Sequence, residues 1–310
     1  MDAPFTLEPL APDQDSSRVR SPGGKVLCRE IRPNDTGSVI DLLTSGFAPA
    51  RDHNFWVHAF ECLSAHATPP GFPRYGYLLE SEGTPVGVIL LIFTAFPTRE
   101  GQSIRCNVSS WFVAPAFRAY APMLIAVALK HKQVTYFNIT PAPHTLPILQ
   151  AQGYKQSSSG RIASIPAFSC RARGCRVERI SSLLRPDCDL TDFEIGLLHS
   201  HAEFGCISLI CYADGERFPF VFQLQPKYHR LIPNVYLIYC RSLETFMQFA
   251  RPLGIYLACR GIPLVLLDAN GPIPGLFGHY KSGDEPKYFK GPNPPSLGDL
   301  SYSERAMFGV

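Results

Sequence analysis

The sequence predicts a mixed α/β protein in which one folding unit occurs twice, and three recurrences carry that expectation. Two segments, YGYLLESEGTPVGVILLIF around Gly83 and SLICYADGERFPFVFQL around Gly215, set apolar runs on either side of an acidic-Gly turn, the pattern of a β-hairpin. Two strand-like runs end in Pro-x-Pro turns: VTYFNITPAP with Pro141 and Pro143, and PLVLLDANGPIP with Pro272 and Pro274. Between these landmarks, the helix-like Pro122 to Lys130 falls opposite Leu253 to Gly261. All three pairs share one sequence offset to within a residue. A duplicated unit gives that directly, although hairpins and strand-turn-helix units are common in any α/β chain.

Along the first copy, Thr36 to Gly46 and Phe55 to Ala65 are helix-like, and the hairpin around Gly83 follows. Ser109 to Lys130 (SSWFVAPAFRAYAPMLIAVALK) then reads as an apolar strand, a short loop with Pro115 and Arg118, and an apolar helix. The unpaired N–H groups and dipole of a helix start suit an anion such as a phosphate or pyrophosphate. A strand and a final helix ending at Gly153-Tyr154 complete the unit. SSSG at Ser157 to Gly160 is a loop signature, and Arg161, Arg171, Arg173, Arg176 and Arg179 read as a solvated basic linker face. The expected organisation is a flexible arm over 1–24, a first domain over 25–156, a linker over 157–189 and a second domain over 190–310. HYKSGDEPKYFKGPNPPSLGDL is expected to wrap that second domain as an irregular tail.

At 310 residues, 45 % hydrophobic and 18 % charged, the chain can bury two cores of ordinary size. A formal charge of +3 is far from the basic footprint of a dedicated nucleic-acid binder, so no nucleic-acid partner is expected. The opening residues lack a basic start followed by an apolar stretch, and the apolar run Val86 to Phe96 falls well short of the ~20 residues that cross a bilayer. A cytoplasmic protein without a membrane span is the expectation. Ten cysteines occur without a Cys-x-x-Cys, and Cys106, Cys206, Cys211, Cys240 and Cys259 sit in apolar surroundings as small buried hydrophobes, with no metal site expected. His199, His201 and Glu203 have the local look of a metal cluster but lack a distal ligand, and read as a polar helix face. Asp268, at the end of a strand, either faces a cleft between the copies or forms a turn.

The order of elements over Lys25 to Tyr154 resembles the GCN5-related N-acetyltransferase (GNAT) family, with a more diverged second copy over Leu190 to Phe277. The resemblance rests on the family's pyrophosphate loop, Val-x-Pro-x-x-Arg-x-x-Gly-x-Gly/Ala, which appears here as Val113, Pro115, Arg118, Ala121 and Met123. Ala121 and Met123 depart from it, and glycine there lets backbone approach a phosphate closely. The closing signature maps onto Ala142, Thr145, Leu149, Gly153 and Tyr154. Only its Gly-aromatic ending is kept, and Leu149 stands where many members carry a tyrosine general acid. The second copy's loop counterpart, RSLETFMQFARPLG, lacks the motif, and Arg251 and Pro252 there would break or cap a helix.

What the resemblance implies is a tandem GNAT fold, each domain a mixed, mostly antiparallel twisted sheet flanked by helices. It also implies an acyltransferase that moves an acyl group directly from acyl-CoA, acetyl-CoA or longer, to an amine or hydroxyl. The acceptor is a small molecule, peptide or saccharide held between the copies. CoA would lie on Phe112, Val113, Arg118, Ala119, Tyr120, Ala121 and Met123, with a backbone amide near Phe112 or Val113 as oxyanion donor. Ser109, Ser110, Asn138 and His144 are the candidate catalytic side chains. The departures at Ala121, Met123 and Leu149 favour the alternative, a GNAT-fold binding or regulatory module without catalysis.

Overall fold

A computed structural model describes residues 25–98, 101–142, 145–170, 174–180, 189–228 and 231–309. The expected arm over 1–24, His144, Pro143, Arg171 and Arg173 lie outside the described residues. The first half runs β1 (Val26–Glu30), α1 (Thr36–Phe47), α2 (His53–Ala65), β2 (Gly76–Ser81), β3 (Thr84–Thr98), β4 (Gly101–Val113), α3 (Ala121–Ala128), β5 (Thr135–Asn138), α4 (Leu146–Ala151) and β6 (Lys155–Ser164). The second runs β7 (Arg176–Arg179), α5 (Asp192–Glu203), β8 (Ile207–Ala213), β9 (Glu216–Tyr228), β10 (Ile232–Tyr239), α6 (Leu243–Ala258), β11 (Leu264–Ala269), β12 (Gly278–Lys290) and α7 (Glu304–Phe308).

Local chemistry explains much of this. Glu82-Gly83 and Asp214-Gly215 close the β2–β3 and β8–β9 hairpins, and all four residues have positive φ, as the tight primed turns of hairpins require. The Asp52 carboxylate accepts from the Phe55 N–H at 2.8 Å and starts α2. Helix α6 buries Phe246, Phe249, Ala250, Leu253 and Leu257 and runs straight through Pro252, which neither breaks nor caps it. At Gly254 an added Cβ would lie 2.2 Å from the Ala167 backbone nitrogen, so α6 packs directly on the turn at Pro166–Phe168.

All the named strands form one sheet, ordered β1-β2-β3-β4-β5-β12-β6-β11-β10-β9-β8-β7. Only β4–β5 and β10–β11 pair in parallel, so the sheet is mixed and mostly antiparallel. Helices cover its faces, and separate apolar cores form around Trp56 and Leu63, Phe93 and Tyr136, Phe220 and Phe246, and Tyr236 and Leu198.

The centre of the sheet corrects the sequence reading. SSSG lies inside β6 rather than in a loop, and HYKSGDEPKYFK forms the central strand β12 rather than an irregular tail. Gly160 is small because β12 passes close: a Cβ there would meet the Lys281 carbonyl oxygen at 2.3 Å. Arg161 is no solvated linker residue, since it pairs with Asp284 at 2.7 Å and Glu285 at 2.9 Å. Cys106, Cys206, Cys211 and Cys240 are buried, whereas Cys259 is exposed just beyond α6.

Three charged residues of β12, Asp284, Glu285 and Lys287, have partners in the structure. Lys287 is 2 % exposed, its Nζ is 3.0 Å from Asp268 Oδ1, and the Tyr236 O–H donates to the same oxygen at 2.6 Å. Asp268 thus forms no turn; it lies within β11 and, with Lys287 and Phe137, lines a small pocket between the halves. Removing one member of a buried ion pair strands the other, so Lys287→Met should lose about 3–5 kcal/mol in urea unfolding. Lys287→Met combined with Asp268→Leu should recover part of that loss. Equal losses in the single and double variants would show that the pair is not what secures β12.

Candidate functional site

Strands β4 and β5 pair only over Arg105–Asn107 with Thr135–Phe137. Beyond them β4 continues to Val113 along β3, while β5, held on its other edge by β12, ends at Asn138, so a wedge opens between the two strands. A bulge sharpens it: Ile89 pairs with Trp111 and Leu90 with Ser109, leaving Ser110 as the extra residue with a φ of 20°. A bulge bends and twists its strand, which swings the end of β4 away from β5.

The wedge holds an open cleft of about 180 Å³. Ile125, Leu149, Gln152 and Tyr154 line the side of α3 and α4, and Ser109, Ser110 and Asn138 line its base. Phe47, the last residue of α1, Arg51, from the α1–α2 connection, and Glu304, the first residue of α7, line the opposite side.

Glu304 is 2 % exposed, and its carboxylate accepts from the hydroxyls of Ser109 and Thr140. Its backbone N–H donates to Asn107 Oδ1 at 2.7 Å, and the Ser109 and Ser110 hydroxyls are 3.1 Å apart. Asn107 sits where the strands part, and its Nδ2 donates to the Phe137 carbonyl at 3.5 Å. A carboxylate from the far end of the sequence is therefore fixed at the apex of the wedge.

The second half opens the same kind of wedge and fills it. Strands β10 and β11 pair over Asn234–Tyr236 with Leu264–Leu266 and then separate. Into that gap runs Gly298–Leu300: the Leu300 N–H donates to the Ile238 carbonyl at 2.7 Å, and the Cys240 N–H to the Gly298 carbonyl at 2.8 Å. Asp299 continues across the sheet to Arg105, with a 2.6 Å ion pair. Only glycine fits at 298, where φ is +84° and a Cβ would lie 2.5 Å from Cys240 Sγ.

His201 holds this strap from the other side. Its Nε2 accepts the Tyr302 N–H at 3.1 Å, which leaves Nδ1–H to donate to the Leu197 carbonyl at 2.8 Å, so the ring is neutral. Complete burial pulls its pKa down to about 4. His201 is thus a buried strut rather than part of a polar helix face, and among the described residues no group of three His, Cys, Asp or Glu could hold a metal ion.

Of the side chains expected from sequence, Ser109, Ser110 and Asn138 meet in the cleft. Val113 is buried at the end of β4, and Phe112 packs toward α1, filling the space that a Cβ on Gly46 would take. Arg118 and Ala119 are exposed on the 3-10 stretch Pro115–Tyr120, and Tyr120 and Ala121 are half-buried where it runs into α3. The Phe117 N–H is spent on the Ala114 carbonyl and the Ala121 N–H on the Arg118 carbonyl. Met123 is 36 % exposed and is not part of the cleft wall. Sequence reasoning missed Glu304, Arg51, Asn107 and Thr140. No local pattern marks Glu304 beyond the preceding Ser303, a helix-start residue.

No family model matches the chain, and no curated protein matches its sequence. The fold nevertheless matches solved structures. A GCN5-related N-acetyltransferase from Anabaena variabilis superposes with a TM-score of 0.57 at 10 % identity, over 86 % of this chain and 72 % of that one. A GCN5-related N-acetyltransferase from Kribbella flavida gives 0.54 at 13 % identity, over 86 % and 71 %. Eis1 from Mycobacterium abscessus gives 0.51 at 9 % identity, over 86 % and 73 %. The chain has the GCN5-related N-acetyltransferase fold. No helix among the described residues is long and apolar enough to cross a membrane.

The buried histidine makes the strap acid-sensitive. The unfolded chain binds a proton at His201 near pH 6.5 that the folded chain refuses until about pH 4. Its contribution is therefore complete above pH 6.5 and declines as pH falls toward 4, on the order of 3 kcal/mol in all. His201→Gln keeps an acceptor for Tyr302 but does not titrate. Urea unfolding should show a smaller loss between pH 7 and pH 5 in that variant than in the wild type, and identical pH profiles would remove His201 from the account.

Proposed function

We propose that the cleft of the first half transfers an acyl group from an acyl-CoA to an amine or hydroxyl acceptor by direct attack. The observation that carries this reading is the wedge between β4 and β5 with the Glu304 carboxylate at its apex. A pantetheine arm can take the place of the missing strand neighbour along Val108 to Val113, with the acyl group at Ser109, Ser110 and Asn138. Arg118, Ala119 and the start of α3 are exposed for the pyrophosphate.

Glu304 takes the proton from the acceptor as its nitrogen or oxygen attacks the thioester carbonyl carbon. Amides at the bulged end of β4, near Phe112 and Val113, donate to the carbonyl oxygen as it gains charge. Collapse of the tetrahedral species breaks the C–S bond. Leu149 has no proton to give, so the proton held by Glu304 returns to the departing thiolate. One proton leaves the acceptor and one arrives on sulfur, with no covalent enzyme intermediate. Ser109 and Thr140 orient the carboxylate throughout.

A second reading, a CoA-binding module without catalysis, is favoured by Leu149 and by the replacement of both loop glycines. Release of free thiol in an acceptor screen separates the two. Glu304→Gln should lower that release about 10²- to 10⁴-fold with the acyl-CoA dissociation constant unchanged. A loss below about tenfold would take the base role away from Glu304. Since Gly298–Leu300 occupies the second wedge, native mass spectrometry at saturating acyl-CoA should show one bound molecule per chain, and two would refute the assignment of that wedge as closed.

A further inference from the structure

The side of the cleft facing α3 and α4 carries an arginine that the reaction scheme leaves unused. Arg51 is half-buried in the α1–α2 connection, with its guanidinium 4.7 Å from the ring centre of Phe55, 5.6 Å from that of Trp56 and 5.8 Å from that of Phe47. Among the described residues its guanidinium makes no ion pair and donates no hydrogen bond, the backbone N–H alone donating to the Phe47 carbonyl at 3.3 Å. The other arginines drawn into the structure differ: Arg105 pairs with Asp299, Arg161 with Asp284, Arg241 with Glu194 and Arg305 with Glu285.

Aromatic faces hold a guanidinium by its plane and leave its N–H edge available. That edge is a planar fork of donors matched to the two oxygens of a carboxylate or phosphate. Arg51 and Glu304 line the same cleft, on the side away from the exposed loop of Arg118 and Ala119. An acyl-CoA entering along α3 therefore leaves this side for the acceptor.

We infer that Arg51 binds an anionic group of the acceptor, so that the acceptors are amines or hydroxyls that also carry a carboxylate or phosphate. The anion sits on the guanidinium and the nucleophile is set against Glu304. The inference rests on the acyl-transfer reading for its reaction, but the anion site can be tested without turnover.

Two measurements on the full chain serve. In the first, kcat/KM for thiol release is compared within matched pairs: glutamate against its diamide, glutaminamide, and phosphoethanolamine against ethanolamine. The wild type should prefer the anionic member of at least one pair by about 10- to 100-fold, a margin consistent with one charge-assisted bidentate contact. The pair that shows it tells carboxylate from phosphate. Arg51→Gln should bring the ratio close to one, and Arg51→Lys, which keeps the charge without the fork, should fall between. In the second, the same compounds are titrated without acyl-CoA and followed by tryptophan fluorescence and calorimetry, because Trp56 adjoins Arg51 and Trp111 lines the cleft.

Anionic amines that bind in an Arg51-dependent manner while no acyl-CoA binds or turns over would refute acyl transfer and leave the anion site standing. Turnover of neutral amines with a ratio near one in the wild type, or a preference that survives Arg51→Gln, would overturn the anion site and leave acyl transfer standing. Absence of binding by every anionic probe also overturns it.

Discussion

The Glu304 carboxylate is the contact on which the first cleft depends. It accepts from a hydroxyl on β4 and from one just beyond β5, the two strands that have parted, while its own N–H reaches the asparagine at the point where they part. Two diverging strands cannot satisfy one another across a wedge, and their polar groups must find water, a ligand or another part of the chain. Here a helix start supplies a carboxylate at the apex and leaves the wider part of the wedge open. The group that closes the apex is also the one to which the proposed transfer assigns the proton.

The two halves solve one geometric problem in opposite ways. In the second, backbone from Gly298 to Leu300 pairs along β10 where that strand leaves β11, so the wedge becomes ordinary sheet. In the first, the chain contributes a side chain and no strand. The segment that fills one wedge leads within a few residues to the carboxylate at the other, with Asp299 on Arg105 and Tyr302 on His201 fixing the route between them.

What was legible in the sequence was local. Glu82-Gly83 and Asp214-Gly215 announce their hairpins because turn chemistry is decided within four residues, and Val113, Pro115 and Arg118 mark a strand-loop-helix for the same reason. Ser109, Ser110 and Asn138 could be placed together because they follow from that local order. The centre of the sheet could not be read this way. Ser157 to Gly160 looks like a loop until the backbone of Lys281 is brought against Gly160, and the charges of β12 look solvated until Asp268, Arg161 and Arg305 meet them. Glu304 is the extreme case, since its partners lie in the first half of the chain.

Backbone hydrogen exchange in the presence and absence of saturating acyl-CoA tests the central claim, that the first wedge is an open acyl-CoA cleft and the second is closed by the chain itself. Protection should rise over Val108 to Val113 and the first turn of α3 and stay unchanged over Leu237 to Cys240. Ligand-induced protection of Leu237 to Cys240, or none at Val108 to Val113 at saturation, would contradict it.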